Sequence, residues 1–167
     1  MLQRSFFILS LILSITFTNA CSEDVNNSNN LSITETQAIQ KAKETNAGTV
    51  TRTESTTHNG INVWEVYMIT ESGGQLKIKY RVDHGTMVEI KGTSPSFEYE
   101  VQPGMNLIDY SNAKAIALAA RNGVIIEWKL EKDESDNRWE YRFFIMNAGQ
   151  NWEIRINAIT GVVLRIK

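Results

Sequence analysis

Ile33-Thr-Glu-Thr-Gln-Ala38 opens a helix-like run, and Ile108-Asp-Tyr-Ser-Asn-Ala113 opens another one 75 residues later. Gly48-Thr-Val50 returns at the same interval as Gly123-Val-Ile125, and Trp64-Glu65 returns as Trp139-Glu140. Three landmarks in one register define two copies of one small unit. A duplication without visible catalytic chemistry builds a surface more readily than an active site.

The quoted stretch is a helix start. Thr34 is a good N-cap, Gln37 three residues on completes a capping box, and Ile33 with Ala38 can form the hydrophobic staple. Ala38, Ile39, Ala42 and Thr45 then share one side of the helix. In the second copy Asp109 caps, and Ala113, Ile116, Ala117 and Ala120 form one apolar stripe. A stripe of alanine lets a helix lie close against a sheet that supplies the bulk. Gly48 and Gly123 are expected to end the helices at C′.

Alternating segments follow. In copy two, Val124, Ile126, Trp128 and Leu130 share a face, then Trp139, Tyr141, Phe143 and Ile145, then Trp152, Ile154 and Ile156, then Val162, Leu164 and Ile166. In copy one, Asn59-Gly60 marks a hairpin, followed by Trp64, Val66 and Met68, then Leu76, Ile78, Tyr80 and Val82, then Val88 and Ile90. The first strand of copy one, Thr49 to Thr57, is polar on both faces and is expected as an exposed or frayed edge. The turn at Asp83-His84-Gly85-Thr86 is expected to be shorter than its counterpart near Thr160-Gly161. The fold class is therefore α+β: two repeated units, each one helix packed on a four-stranded antiparallel sheet. Their expected limits are residues 31–92 and 108–167, joined by a linker, 93–107, that holds Pro95, Pro103 and Gly104.

Residues 1–20 have one charge, Arg4, a short apolar stretch from Phe6 to Phe17, and a small residue, Ala20, at the end. That layout is a secretory signal, too short to span a bilayer comfortably. The chain's one cysteine, Cys21, follows directly. A lone thiol there resembles a bacterial lipoprotein, whose cysteine takes a diacylglycerol thioether, although Thr18 and Asn19 depart from the usual lipobox. The other reading is plain cleavage after Ala20. Ser22-Glu23-Asp24 resembles sorting signals for the outer membrane or cell surface, and residues 21–30 form a flexible tether. The address is thus an exported, lipid-anchored protein at the outer membrane or cell surface, or alternatively a soluble periplasmic or secreted one.

A formal net charge of −2 leaves no footprint for nucleic acid. No cofactor is expected. His58 and His84 are the only histidines; both lie at or beside turns, and without a further ligand they make no metal site. Glu131, Asp133, Glu134 and Asp136 cluster near a hairpin without the spacing of a calcium loop, which reads as a solvated turn. No nucleophile elbow, phosphate loop or metalloprotease helix is present.

Each unit resembles a PepSY domain. The resemblance rests on Ala113/Ala117, Gly123-Val124, Trp139-Glu-Tyr141 and Asn157-Ala-Ile-Thr-Gly161-Val162-Val163 in copy two. In copy one it rests on Ala38/Ala42, Gly48-Thr-Val50, Trp64-Glu-Val66 and Val82-Asp83-His-Gly85. It implies inhibition or regulation of a peptidase in the cell envelope, because such units occur in propeptides of secreted thermolysin-like peptidases. Tandem units of this kind also look like the beta-lactamase inhibitor protein architecture, whose paired sheets form a binding face.

Alternation turns Lys77, Lys79 and Arg81 outward with Tyr67 in copy one, and Arg142, Phe144 and Met146 in copy two. Basic residues mixed with aromatic and methionine anchors fit a protein-binding surface. The alternatives are an ordinary solvated sheet face, or a face the two units bury against each other. The expected activity is binding of an envelope protein, a peptidase in the favoured reading. An assembly scaffold and a small-ligand sensor with a groove between the copies stand as rivals, and an enzyme is not expected.

Overall fold

The computed structural model describes residues 32–93, 97–99, 101–133 and 135–167. The signal segment, Cys21 and the tether lie outside the described residues, as do Pro95 and Glu134. Helix α1 (Glu35–Thr45) precedes strands β1 (Gly48–His58), β2 (Ile61–Thr70), β3 (Gln75–Arg81) and β4 (Met87–Gly92). Helix α2 (Tyr110–Ala120) precedes β5 (Val124–Asp133), β6 (Arg138–Asn147), β7 (Gln150–Asn157) and β8 (Val163–Ile166).

The strands form one antiparallel sheet in chain order, β1 to β8. The sequence reading expected a sheet in each unit, but β4 pairs directly with β5, Ile90 opposite Leu130 and Gly92 opposite Trp128, so the sheet runs on without a break. Gly92 is required at this join: a Cβ there would lie 2.1 Å from Trp128 Nε1, and the indole of Trp128 is fully buried.

Both helices cover the same face. Ala38, Ala42, Ala113 and Ala117 are fully buried in a single core with Val66, Met68, Ile78, Ile90, Trp128, Phe143 and Ile154. Small helix residues against large strand residues is the expected division. The Thr34–Gln37 capping box forms, and Asp109 caps α2 through the Asn112 amide. Residues of the expected linker contribute to this core: Tyr99 and Val101 are buried, and Tyr99 packs on Tyr110 and Trp128 at ring separations of 5.4 and 5.5 Å. Residues 97–99 and 101–104 belong to neither a helix nor a strand.

The structure corrects several details of the repeat. The helix caps are Asn46 and Arg121, so Gly48 and Gly123 lie beyond C′; Gly48 begins β1, and Gly123 directly precedes β5. A Cβ at Gly48 would meet the Ile69 carbonyl oxygen at 2.4 Å, and one at Gly123 the Met146 oxygen at 2.5 Å; glycine is kept for close strand approach. Trp64 and Trp139 are not equivalent. The first hairpin turns between His58 and Ile61, the corresponding one between Asp133 and Arg138, and the longer turn displaces all of β6 by two residues. Tyr141 therefore stands where Trp64 does: Trp64 Nε1 donates to Ile33 O and Tyr141 Oη to Ile108 O, each at 2.9 Å. The turn after β3 is not shortened either. Arg81 and Thr86 close it as Asn157 and Val162 close its partner, at 2.8 and 2.9 Å.

The polar strand β1 is an edge, as its composition implies, and it is paired with β2 along its length rather than frayed. Its register slips between Val50 and Arg52, and that of β5 between Ile125 and Glu127, the same place in each copy.

Candidate functional site

The face opposite the helices collects every residue that the sequence singled out for binding. Across it runs a ladder of directly opposed residues: Arg52, Tyr67, Lys77, Lys91, Lys129, Arg142, Arg155 and Arg165, one from each strand. Like charges opposed across strands are destabilising, so the ladder requires flanking acids. Beside it lies the row Glu54, Glu65, Lys79, Glu89, Glu131 and Glu140. On the other side stand Glu127 and Glu153, either side of Phe144.

The two sets interlock by pairs along a strand, straight across and diagonally across strands. Lys77 Nζ lies 3.2 Å from Glu65, Lys91 2.9 Å from Glu127 and Lys129 2.8 Å from Glu131. Arg142 reaches Glu131 at 2.8 Å, and Arg155 reaches Glu153 at 2.9 Å. Lys79 is shared by Glu89 at 2.8 Å, Glu65 at 3.7 Å and the His58 ring at 3.1 Å. His58 therefore faces the sheet rather than standing free in its turn. The carboxylates of Glu65, Glu89 and Glu140 are buried, each within ion-pair distance of these cations or of Arg138. Burial raises the pKa of Glu89, and the hydrogen bond and charge of Lys79 more than reverse this, leaving it below the ordinary carboxylate value. Burial likewise raises that of Glu65, and hydrogen bonds from Tyr67 and Lys77 together with the lysine charges bring it below.

Tyr67 is bound into the lattice. Its hydroxyl donates to Glu54 at 3.0 Å and also to Glu65, and the Arg52 guanidinium lies 3.9 Å over its ring. Partial burial, with the proton held by two carboxylates, pushes the phenol up to about 12. Arg81 stands at the end of β3, in a two-point pair with Asp83 at 2.6 and 2.9 Å. Lys77, Lys79, Arg81 and Arg142 are thus neutralised where they stand, not a free basic patch. Phe144 is half-buried, and Met146 is 44% exposed. By strand register Phe144 is the counterpart of Tyr67 and Met146 that of Ile69, itself 43% exposed. The anchors recur, but their neighbours change sign: Arg52 and Lys77 flank Tyr67, while Glu127 and Glu153 flank Phe144. The sequence reading missed this inversion because it aligned Trp64 with Trp139.

Two other features bear on function. The acidic cluster near the β5–β6 hairpin is consumed by arginines, Glu131 and Asp133 by Arg142 and Asp136 by Arg138. Among the described residues no group of His, Cys, Asp and Glu is arranged to hold a metal ion. A groove of about 540 Å³ opens at the hairpin ends beneath the β4–β5 join, lined by His58, Arg81, His84, Met87, Lys132 and Trp139 among others. Among the described residues no helix is long and apolar enough to cross a membrane.

No curated protein matches the chain. Among solved structures, a candidate lipoprotein from Clostridium difficile 630 aligns over 84% of this chain and 95% of its own, with 19% identity and a TM-score of 0.39. The family model for the peptidase propeptide and YPEB domain, PepSY, matches twice, over residues 32–101 and 107–167, and no catalytic family is indicated. With both halves of its sheet accounted for in this way, the chain belongs to the PepSY family and has two such domains in tandem.

Proposed function

We propose that this protein is a non-catalytic binding protein of the cell envelope that inhibits or regulates an exported peptidase. In this reading residues 1–20 direct export, and Cys21 takes a lipid that holds the protein at the outer membrane or cell surface. Residues 21–30 act as the tether, and each PepSY unit contributes one helix and four strands to the shared sheet. The helix-free face is the docking surface. Tyr67, Phe144 and Met146 are its anchors, and Lys77, Lys79, Arg81 and Arg142 orient the partner from within their ion pairs.

The observation that carries the reading is the recurrence of Tyr67 with Ile69 as Phe144 with Met146 on one uninterrupted face. Aromatic and methionine anchors inside a charged surround have the make-up of a protein interface. Because the cations are already neutralised, they contribute specificity and orientation more than affinity. The family's description as a peptidase propeptide domain supports the class of partner. The test is crosslinking of the purified protein in envelope extract, beside the Tyr67→Ala/Phe144→Ala variant. A peptidase captured by the native protein and lost with the variant supports the reading. Capture of assembly or wall proteins alone replaces it with a scaffold role.

The groove beneath the β4–β5 join favours a second reading, a sensor of a small ligand. Its lining combines apolar Met87 and Trp139 with Arg81 and Lys132, which fits an apolar molecule with an anionic group. A ligand-induced rise in melting temperature is the matching test.

A further inference from the structure

The sheet has two edges, and they differ in kind. Strand β1 offers threonine and serine. Strand β8 is apolar, and among the described residues no strand pairs with its outer side: Val163, Leu164 and Ile166 are 36%, 37% and 44% exposed, with Ile159 and Val162 beside them at 57% and 58%. An open apolar edge invites pairing with another strand. Strand β8 is also the counterpart of β4, whose free side is occupied by β5. Both follow the same turn, and both bulge at the same point, Val88 in β4 and Leu164 in β8. The β4–β5 join therefore shows what this edge accepts: an antiparallel strand with large apolar residues on the helix side, as β5 places Leu130 opposite Ile90, the counterpart of Ile166.

Charge narrows the occupant. Where β4 has Glu89, held by Lys79, β8 has Arg165 opposite Arg155. Arg155 is neutralised by Glu153, whereas Arg165 and Lys167 are exposed and make no ion pair among the described residues. A second copy fits poorly by either route. Its β8 would bring Arg165 and Lys167 against their own likeness. Its β1 would place Thr53 and Ser55 where β5 has Trp128 and Leu130, losing the apolar anchors. We infer that β8 docks an extended segment of a protein partner, in which acidic residues facing Arg165 and Lys167 alternate with large apolar ones, paired antiparallel as β5 pairs with β4. Arg165 ends the ladder of the helix-free face, but this edge uses none of the anchors assigned above, and the inference does not depend on the partner being a peptidase.

Lys167 exchanges both backbone hydrogen bonds with Glu153, at 2.9 and 3.0 Å. By strand alternation the N–H and C=O of Ile166 point away from β7, toward the incoming strand. The test uses the full-length protein and two end-blocked ten-residue peptides, one alternating Glu with Ile and Trp, the other with Lys in place of Glu. The acidic peptide is expected to bind about tenfold or more tighter than the basic one and to slow amide exchange at Ile166. Arg165→Glu, an exposed substitution that leaves the fold intact, is expected to reverse that preference. Equal binding of the two peptides, binding of neither, or an unchanged preference in Arg165→Glu overturns the inference. So does a concentration-dependent dimer that Ile166→Pro abolishes, which would make a second copy the occupant.

Discussion

Lys79 Nζ stands 2.8 Å from Glu89 Oε1, and this contact lets a carboxylate remain charged while almost wholly buried at the centre of the sheet. Lys79 also lies within reach of Glu65 and His58, so one ammonium holds three groups from three strands. Removing it leaves the buried Glu89 carboxylate without its ion-pair partner, while Glu65 keeps Lys77. Lys79→Met is expected to cost about 3 kcal/mol at pH 7, measured by urea denaturation. Adding Glu89→Gln is expected to restore part of the loss, because the uncompensated charge goes with it.

The same lattice sets the acid response. Glu65 and Glu89 have folded-state pKa values below the ordinary carboxylate range. They therefore contribute stability that is present above the unfolded pKa and is lost as pH falls through the folded one. The urea midpoint is expected to hold from neutral pH down to about 5 and to fall below about 4.5, where the cation ladder loses its counter-charges. In Lys79→Met the sign reverses for Glu89, and the difference from the native protein should narrow at acid pH.

Tyr141 and Trp64 do the same work in the two copies, each tying its half of the sheet to the residue before the helix cap. Tyr141 is fully buried, and Tyr141→Phe leaves the Ile108 carbonyl without that donor. The expected cost is about 1 kcal/mol, read as a lower melting temperature with cooperativity retained.

Gly92→Ala tests the single sheet. A Cβ would lie 2.1 Å from Trp128 Nε1 and 2.7 Å from its Cδ1, with the indole packed among Tyr99, Tyr110 and Phe143. Overpacking here is expected to cost about 3 kcal/mol. Two units with separate sheets would tolerate the change with little loss.

Much of this architecture was legible in the residues. The capping signals of Thr34 and Asp109, the alanine stripes and the alternation of Tyr141, Phe143 and Ile145 are local patterns, and local patterns fix helices and strand faces. The polar β1 was readable as an edge for the same reason. The β4–β5 join was not, because pairing between distant strands leaves no mark in either one. The equivalence of Trp64 with Tyr141 was hidden by a hairpin two residues longer, which a fixed repeat interval cannot follow. Every predicted binding residue lies on one face because strand alternation determines side. The neutralisation of Lys77, Lys79 and Arg142 depends on which acids stand on the neighbouring strands, and that needs the register.

The anchors should be separable from the fold. Tyr67→Ala loses its bonds to Glu54 and Glu65 and the stacked Arg52, at an expected cost of about 1–2 kcal/mol. Phe144, half-buried, should cost about 1 kcal/mol. The double variant is expected to melt in one cooperative transition at a lower temperature. Loss of that transition would assign these side chains to the core instead.

The most direct measurement is an assay of exported peptidase activity from the source organism, titrated with the purified native protein and with the Tyr67→Ala/Phe144→Ala variant. A saturable change in activity with the native protein, and a weakened one with the folded variant, is the expected result. Activity unmoved by the native protein, or moved equally by both, would contradict peptidase regulation through the helix-free face.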